Sequence, residues 1–307
     1  MGWVDSPEFD LHHHEHGHPE RPERLLAVRE GLSQSNIDSR LCLELARPVD
    51  RGLLERLHLA TYVSGIQQLC ARGGGRLDAD TSVVPASWEA ALKSAGAVTQ
   101  AVTHVLAGTW DRAFCSVRPP GHHATASRAM GFCLFGNAAL GAVRALDLGL
   151  HRVAILDWDI HHGNGTQSLF WNRNDVLFAS WHQFPFYPGT GRAQDVGEGE
   201  GAGFTVNCPL PAGAGQAEYL AAWETKILPA LDRAQPELLI ISAGFDADAR
   251  DPLGGHRLEA ASYEALTARV VEWADKNCRG RIVSVLEGGY SLSALAEDVA
   301  VHVAALL

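Results

Sequence analysis

Two carboxylates and two histidines are crowded into six positions of the segment LDWDIHHGNG, at 156–165. They are Asp157, Asp159, His161 and His162, and they follow an apolar run that is typical of a buried strand. Carboxylate oxygens and imidazole nitrogens bind divalent metal ions such as zinc, and the same groups serve as general acids and bases. The segment therefore predicts metal or proton-transfer chemistry at the end of a strand.

Other apolar runs of the chain end in polar residues in the same way. The four segments are RPPGHHA after residue 117, DWDIHHGNG after 156, AGFDAD after 242 and EGGY after 286. Because ligands bind at the carboxyl ends of the strands in open α/β sheets, we expect these groups to lie together at one edge of the sheet. Asp and Asn also satisfy loop backbone in ordinary turns, but four such ends together favour a functional site.

Asp159, His161 and Asp246 are the metal-ligand candidates. Asp159 and His161 lie two residues apart on a segment that leaves a strand, so both side chains can face the same side. Asp246, at the end of another strand, can supply the third donor. Three protein ligands leave a position for water, as in catalytic zinc sites, and this Asp-His-Asp set also suits Fe²⁺ or Co²⁺.

A water activated by a metal still needs a base. His122 and His123, which follow the RPPG turn, are the candidates, and Asp157 and Asn164 can hold their far ring nitrogens. Tyr290, on the glycine-rich EGGY turn, can donate to the oxyanion that forms when a carbonyl is attacked. These residues predict a metal-assisted hydrolase.

The elements that must position these residues follow a β-α-β succession from about residue 97 onward. We predict strands at 112–117, 152–159, 175–181, 203–210, 237–244 and 281–289, and helices at 137–149, 217–234, 258–277 and from 291. Continuous apolar runs are typical of parallel strands covered by helices on both faces. Because no repeat, low-complexity stretch or linker interrupts the chain, we predict one doubly wound α/β domain over residues 1–307.

Composition excludes several classes of function. The net charge of −11 provides no basic stripe for nucleic-acid binding. No apolar run reaches about 18 residues and no secretory signal begins at Met1, so we expect a cytoplasmic protein without a membrane span. The six scattered cysteines form no C-x-x-C pair and are expected to be reduced thiols.

Two N-terminal segments are assigned to loops. The histidine-rich tract DLHHHEHGHPERPERL, at 10–25, invites a metal site, but we favour a polar loop whose PERPER segment opens a helix. Proline is tolerated and glutamate is favoured in a first helical turn. The segment RGGGRLDADTSVVP, at 72–85, is predicted to be a surface loop rather than a domain boundary.

Five ordered motifs resemble the zinc-dependent histone deacetylase family, most closely its class II branch with the bacterial histone-deacetylase-like amidohydrolases. The motifs are RPPGHHA, DWDIHHGNGTQ, FYPGTG, SAGFDAD with DPLGG, and LEGGY. The resemblance begins at HPERPERL and reaches the C-terminus. It implies an arginase/deacetylase fold with a central eight-stranded parallel sheet, and hydrolysis of an N-acyl amine, typically acetyl-lysine.

The resemblance also implies roles for individual residues. It makes Asp159, His161 and Asp246 zinc ligands and His123 the general base, with His122 paired to Asp157, Asn164 beside His123, and Tyr290 polarising the acyl carbonyl. It further implies a structural potassium ion held by the Asp157 and Ser180 side chains and by the carbonyls of Asp159, His161 and Trp181, and oxygen ligands suit such a hard cation.

A substrate channel is implied by the same resemblance. Gly131 and Phe132, in MGFCLFGN, and Tyr187, in FYPGTG, match the aromatic walls that would hold the apolar stem of an acetyl-lysine. Asp80, in LDADTSVVP, matches an acid of the rim that grips the substrate backbone. Leu253, in DPLGG, stands where acetylpolyamine-preferring members have a glutamate, which argues against that specialisation.

Several alternatives stay open at this point. The substrate is an acylated lysine in a peptide or protein, an acetylpolyamine or another small N-acyl amine, and the acyl chain and oligomeric state are undetermined. A binuclear arginase-like hydrolase would use Asp246 and Asp248 together, but it would want an acid at the position of Gly163. A silent binding module is disfavoured because the catalytic set is complete.

Overall fold

A computed structural model describes residues 1–307 and contains one large parallel sheet. The ten strands are β1 Gly2–Asp5, β2 Cys42–Leu45, β3 Gly75–Arg76, β4 Ser82–Val83, β5 Arg112–Cys115, β6 Val153–Asp157, β7 Val176–Gln183, β8 Thr205–Leu210, β9 Leu239–Ala243 and β10 Ile282–Leu286. Eight of them pair in the order β2-β1-β5-β10-β9-β6-β7-β8, all parallel, and β3 and β4 form a separate antiparallel hairpin. The predicted α/β fold class with an eight-stranded parallel sheet is confirmed.

The helices cover both faces of this sheet. They are α1 Glu23–Gln34, α2 Arg51–Leu54, α3 Ala60–Ala71, α4 Ser87–Leu106, α5 Asn137–Asp147, α6 Asn164–Phe170, α7 Gln216–Ala222, α8 Leu228–Ala234, α9 Ala260–Asn277 and α10 Leu292–Leu306. Every residue of the central strands β6, β9 and β10 is buried, which explains their uninterrupted apolar sequences. The polar residues that follow these strands leave the sheet, so the observed strands are shorter than predicted.

The predicted helix at 217–234 is interrupted by a π-helical turn at Trp223–Ile227. Pro229 lies in the first turn of α8 just beyond it. Proline has no N–H to donate, and its ring clashes with the carbonyl four residues before it, so a regular α-helix is unfavourable at this point.

The N-terminal strands β1 and β2 have four residues each and were not predicted. Strand β1 pairs with both β2 and β5, so the N-terminus extends the sheet beyond β5. Strand β2 is the outer edge and is largely exposed, so it lacks the apolar signal of a buried strand.

The histidine-rich tract does lead into a helix, because α1 begins at Glu23 after Pro22. The tract itself is largely a loop, as predicted, but part of it is buried. His12 and Glu20 are fully buried, and the His14 side chain is only 1% exposed. Composition alone did not indicate this burial, because the residues that cover the tract lie far away in the sequence.

A single cluster of 80 buried hydrophobic residues lies between the sheet and its helices. His302, on α10, is buried within it, and its two ring nitrogens lie 2.7 Å from Thr267 Oγ1 on α9 and 2.8 Å from Ser284 Oγ on β10. No helix of the structure has both the length and the apolar character needed to cross a membrane.

His302 makes stability depend on pH. Burial lowers the pKa of His302 to about 3, whereas an unfolded histidine has a pKa of about 6.5. Between these values the unfolded chain binds a proton that the folded chain does not, so the free energy of unfolding falls as the pH falls. In the parent, this effect contributes about 1.4 kcal/mol per pH unit to the decrease in the free energy of unfolding, and we expect His302→Gln to remove that contribution. Urea unfolding between pH 6 and about pH 4 measures it. Identical slopes in parent and variant would contradict the assignment.

Candidate active site

The four strands that carry the polar segments are neighbours in the sheet. The order β5-β10-β9-β6 is uninterrupted, and all four strands point the same way. Their carboxyl ends therefore bring RPPGHHA, EGGY, AGFDAD and DWDIHHGNG to one edge, as expected for the crevice of a doubly wound sheet.

Asp159, His161 and Asp246 converge at this edge. The Nδ1 atom of His161 lies 3.1 Å from Asp159 Oδ1 and 3.0 Å from Asp246 Oδ2. Asp159 and Asp246 are both fully buried, and one ligand atom of each residue lies within 4.8 Å of the other two. Two buried carboxylates and an imidazole whose ligand atoms lie this close together match the donor set of a divalent metal ion.

The protonation of His161 and Asp246 reflects the same crowding. Burial opposes a charged ring at His161, but its hydrogen bonds with Asp159 and Asp246 prevail and raise the pKa of His161 to about 10. Burial also raises the pKa of Asp246 to about 7. The backbone N–H of Gly288 donates to Asp159 Oδ2 at 2.8 Å, and a Cβ at Gly288 would collide with both carboxylates. Glycine at this position therefore permits the EGGY turn to close over the donor set.

His122 and Asp157 form a buried pair beside these ligands. His122 Nδ1 lies 3.0 Å from Asp157 Oδ2. Burial opposes a charged ring, but the negative charges of Asp159 and Asp157 outweigh it and raise the pKa of His122 well above its usual value. The backbone N–H groups of Gly121 and His122 donate to Glu287 Oε2 at 2.7 and 3.2 Å. Glu287 thus fixes the turn that carries the two histidines.

His123 has a neutral partner. Its Nδ1 lies 2.8 Å from Asn164 Oδ1, at the first turn of α6. An amide oxygen accepts a hydrogen bond, so Nδ1 carries the proton and Nε2 is left with a free lone pair. Burial, reinforced by the positive charges of His122 and His161, holds the pKa of His123 well below its usual value. The geometry therefore provides a neutral imidazole that can accept a proton.

A cavity of about 180 Å³ opens above these groups. It is lined by Asp80, His123, Gly131, Phe132, His161, Tyr187, Leu253 and Tyr290. All five substrate-channel residues predicted from the sequence thus surround it, together with the candidate base, one candidate metal ligand and Tyr290. The ring of Tyr187 stands edge-on to His123 at 5.2 Å, and Phe132 stands edge-on to Tyr290 at 5.8 Å.

Phe132 has the left-handed backbone conformation, with φ of 69°, which is uncommon for a residue with a side chain. Its N–H donates to Thr81 Oγ1 at 3.0 Å, which joins the cavity wall to the rim loop containing Asp80. Such conformations persist where surrounding contacts hold them and are frequent at ligand sites. The wall and the rim are therefore one connected structure.

Tyr290 is positioned by two residues that the sequence analysis missed. Its backbone N–H donates to Asp251 Oδ2 at 2.6 Å, and the guanidinium of Arg24 lies 4.9 Å from the centre of its ring. Arg24 also donates to the carbonyls of Glu287 and Gly289 at 2.5 and 2.6 Å. Burial raises the pKa of Tyr290 well above its usual value, so the phenol keeps its proton. Asp251 lies in the DPLGG motif and Arg24 in HPERPERL, and a charged residue inside such a motif was the available signal.

Two of the predicted potassium ligands lie on neighbouring strands. Asp157 and Ser180 are register partners on β6 and β7. Ser180 Oγ lies 2.9 Å from His182 Nδ1, and Asp157 Oδ1 accepts the backbone N–H of Asp159 at 3.1 Å. The Trp181 indole donates to the carbonyl of Tyr219 at 3.1 Å.

Two residues of the sequence motifs turn away from this site. His162 Nδ1 lies 2.8 Å from Thr190 Oγ1, and its Nε2 lies 3.0 Å from Gln167 Oε1. The expectation that His162 joins the other polar groups at this edge of the sheet is therefore wrong. Asp248, the second ligand of the binuclear alternative, instead binds the guanidinium of Arg250 at 2.9 Å. This engagement counts against a second metal beside Asp246.

Comparison with known proteins gives the same family over nearly the whole chain. A family model described as the histone deacetylase domain matches residues 18–306. A histone deacetylase-like amidohydrolase of Pseudomonas aeruginosa is 43% identical over 94% of this chain and 75% of that protein. The polyamine deacetylase HDAC10 of Homo sapiens is 38% identical over 99% of this chain and 45% of that protein.

The solved structures agree with this assignment. The crystal structure of the HDA15 HD domain superposes with a TM-score of 0.94 at 35% identity, over 100% of this chain and 90% of that one. The ordered strand-end motifs, the parallel sheet and the matched family model are consistent, and the chain belongs to the histone deacetylase family as a deacetylase of the amidohydrolase type.

Proposed function

We propose that residues 1–307 form one deacetylase domain that hydrolyses the acyl amide of N-ε-acetyl-lysine. The observation that carries this proposal is the cavity of about 180 Å³ whose lining combines Phe132 and Tyr187 with His123, His161 and Tyr290. A four-carbon apolar stem fits between aromatic walls, and the amide at its end would lie among the polar groups.

Asp159, His161 and Asp246 would hold a zinc ion, for which Fe²⁺ or Co²⁺ could substitute. When bound, zinc supplies Lewis acidity that polarises a carbonyl and makes water a nucleophile near neutral pH. A potassium ion held by Asp157 and Ser180 would stabilise the loop that carries Asp159 and His161. The register pairing of β6 and β7 supports this second proposal.

His123 would transfer the proton. Its Nδ1–H is engaged by Asn164, so Nε2 is free to take the proton from the attacking water and later to deliver it to the departing amine. His122, paired with Asp157, would remain positively charged and stabilise the negative charge that develops on the substrate.

Tyr290 would donate a hydrogen bond to the acyl oxygen. Its phenol lines the cavity wall and keeps its proton at neutral pH. Asp251 and Arg24 fix its backbone and ring, so the donor is oriented before the substrate binds. Asp80, on the rim of the same cavity, would accept hydrogen bonds from the substrate backbone.

Acetylpolyamines are the second candidate substrates. The similarity to a human polyamine deacetylase favours them, and the aromatic walls of the cavity would suit any acylated primary amine with an apolar stem. Leu253 opposes this alternative, because it presents an apolar side chain to the cavity where a second ammonium would need a carboxylate.

We expect Leu253→Glu to raise the ratio of kcat/KM for an acetylated diamine over an acetyl-lysine peptide by about tenfold. The new carboxylate would pair with the distal ammonium of the diamine, whereas the neutral control Leu253→Gln would leave the ratio near that of the parent. Steady-state kinetics on both substrates measure the effect. Equal ratios in all three proteins would contradict this role of Leu253.

A substrate panel tests the proposed function. The zinc-loaded protein would be assayed with acetyl-lysine peptides, acetylated diamines and peptides carrying longer acyl chains. We expect the highest kcat/KM for acetyl-lysine peptides. A higher value for diamines would establish the second candidate instead, and no turnover of any substrate would refute both.

A further inference from the structure

We infer that His12, His14 and Glu20 form a second site for a divalent metal ion, separate from the active site. His14 Nε2 and His12 Nε2 lie 3.4 and 3.7 Å from Glu20 Oε2. One ligand atom of each residue lies within 4.8 Å of the other two, and all three side chains are buried. These separations are close to those between ligands that each stand about 2 Å from one ion.

The hydrogen bonds of the two imidazoles point to a ligand. His12 Nδ1 lies 2.8 Å from Ser87 Oγ, and His14 Nδ1 lies 3.0 Å from Ser82 Oγ. The Nε2 atoms of both rings are buried and have no hydrogen-bond partner. Metal-binding histidines have this arrangement, since the far nitrogen is held by a protein group while the near one faces the ion. Without an ion, the two nitrogens would face Glu20 Oε2 only at 3.4 and 3.7 Å, which is longer than a good N–H···O hydrogen bond.

The surroundings of Glu20 determine which ion fits. Arg118 binds both oxygens of Glu20, with Nη2 2.7 Å from Oε2, and Arg24 Nη1 lies 3.1 Å from Oε1. Carboxylates that bind metals are commonly held in this way, but the two guanidinium groups already offset the negative charge. The imidazole nitrogens must therefore supply most of the affinity. Zn²⁺, Co²⁺ or Ni²⁺ fits such a site, whereas Mg²⁺ and Ca²⁺, which prefer oxygen ligands, do not.

The site also contacts the wall of the substrate cavity. The ring of His14 stacks on His18 at 4.0 Å, and His18 stands edge-on to Phe132 at 4.7 Å. His18 Nε2 lies 3.1 Å from the carbonyl of Asp80, while Ser82, the partner of His14, belongs to β4 of the same rim loop. An ion bound to His14 would therefore restrict the motion of both the wall and the rim. Its role would be structural, because none of these donors faces the cavity.

Zinc counting in a chain without the catalytic site tests this inference. Asp246→Ala removes one ligand of the active site and leaves the second site intact. After loading with Zn²⁺ and desalting, we expect two zinc ions per chain in the parent and one in Asp246→Ala. Adding His14→Asn, which preserves a polar partner for Ser82 but removes Nε2, should reduce the count to zero. His12→Asn gives an independent variant of the same kind.

Matched controls are His13→Asn and His16→Asn in the Asp246→Ala chain, because these neighbouring histidines are exposed. They should retain the ion. Zn²⁺ should also raise the Tm of Asp246→Ala but not of the double variant with His14→Asn. Loading Asp246→Ala with Co²⁺ should give visible absorption typical of four-coordinate cobalt. This measurement does not depend on whether a histidine variant folds. The site would be refuted if Asp246→Ala bound no zinc and gave no cobalt band. It would also be refuted if the exposed-histidine controls lost zinc while the variant with His14→Asn kept it.

Discussion

Replacing Asp159, His161 or Asp246 with alanine is expected to remove one zinc ion per chain and nearly all deacetylase activity. Each substitution leaves two protein donors where an open catalytic site needs three. Because the metal contributes several kcal/mol of transition-state stabilisation, we expect kcat to fall by about a thousandfold or more. Metal analysis after dialysis and kinetics on an acetyl-lysine peptide measure the two effects.

His162→Gln is the matched control for His161→Ala. His162 is the adjacent histidine, but it bonds to Thr190 and Gln167 outside the donor set. The control is expected to retain its zinc. A parental zinc content in any of the three alanine variants would show that the catalytic ligands have been misassigned.

Tyr290→Phe is expected to lower kcat by about a hundred- to a thousandfold, equivalent to roughly 3 to 4 kcal/mol. The substitution keeps the ring that packs between Arg24 and Phe132 and removes only the hydroxyl. KM should change much less, because the hydrogen bond strengthens mainly as negative charge develops on the acyl oxygen. Steady-state kinetics with the zinc content measured in parallel separate this effect from metal loss.

Tyr187→Phe removes a phenol from the same cavity and serves as the control. Its ring forms the wall beside His123, so we expect it to change kcat by less than about threefold, far less than loss of an oxyanion donor. If Tyr290→Phe were equally mild, Tyr290 would be a packing residue and another group would polarise the carbonyl.

The meeting of the candidate metal ligands and the candidate base could be predicted because local sequence carries their signal. Asp159 and His161 follow a long apolar strand at a spacing of two, and His122 and His123 follow a turn of two prolines and a glycine. Parallel strands present their carboxyl ends at one edge, so the type and position of these residues were sufficient.

Contacts between distant segments could not be predicted in this way. Glu20 and Arg118 are 98 residues apart, and each is a common surface residue by type. The bond from Glu287 to the turn at Gly121 depends on β10 lying next to β5, and strand order is not encoded in local periodicity. The burial of His12, His14 and Glu20 follows from the same long-range packing.

The place of β10 in the sheet has a consequence for biosynthesis. This strand, at Ile282–Leu286, is made after every other strand, yet it lies between β5 and β9 in the interior of the sheet. A nascent chain that has emerged only as far as β9 therefore has a gap at the centre of its sheet, with two unpaired strand edges and without the EGGY turn. Such edges favour intermolecular pairing. Native folding of the sheet must therefore wait until β10 and the EGGY turn have left the ribosome, and the active site forms in the same step.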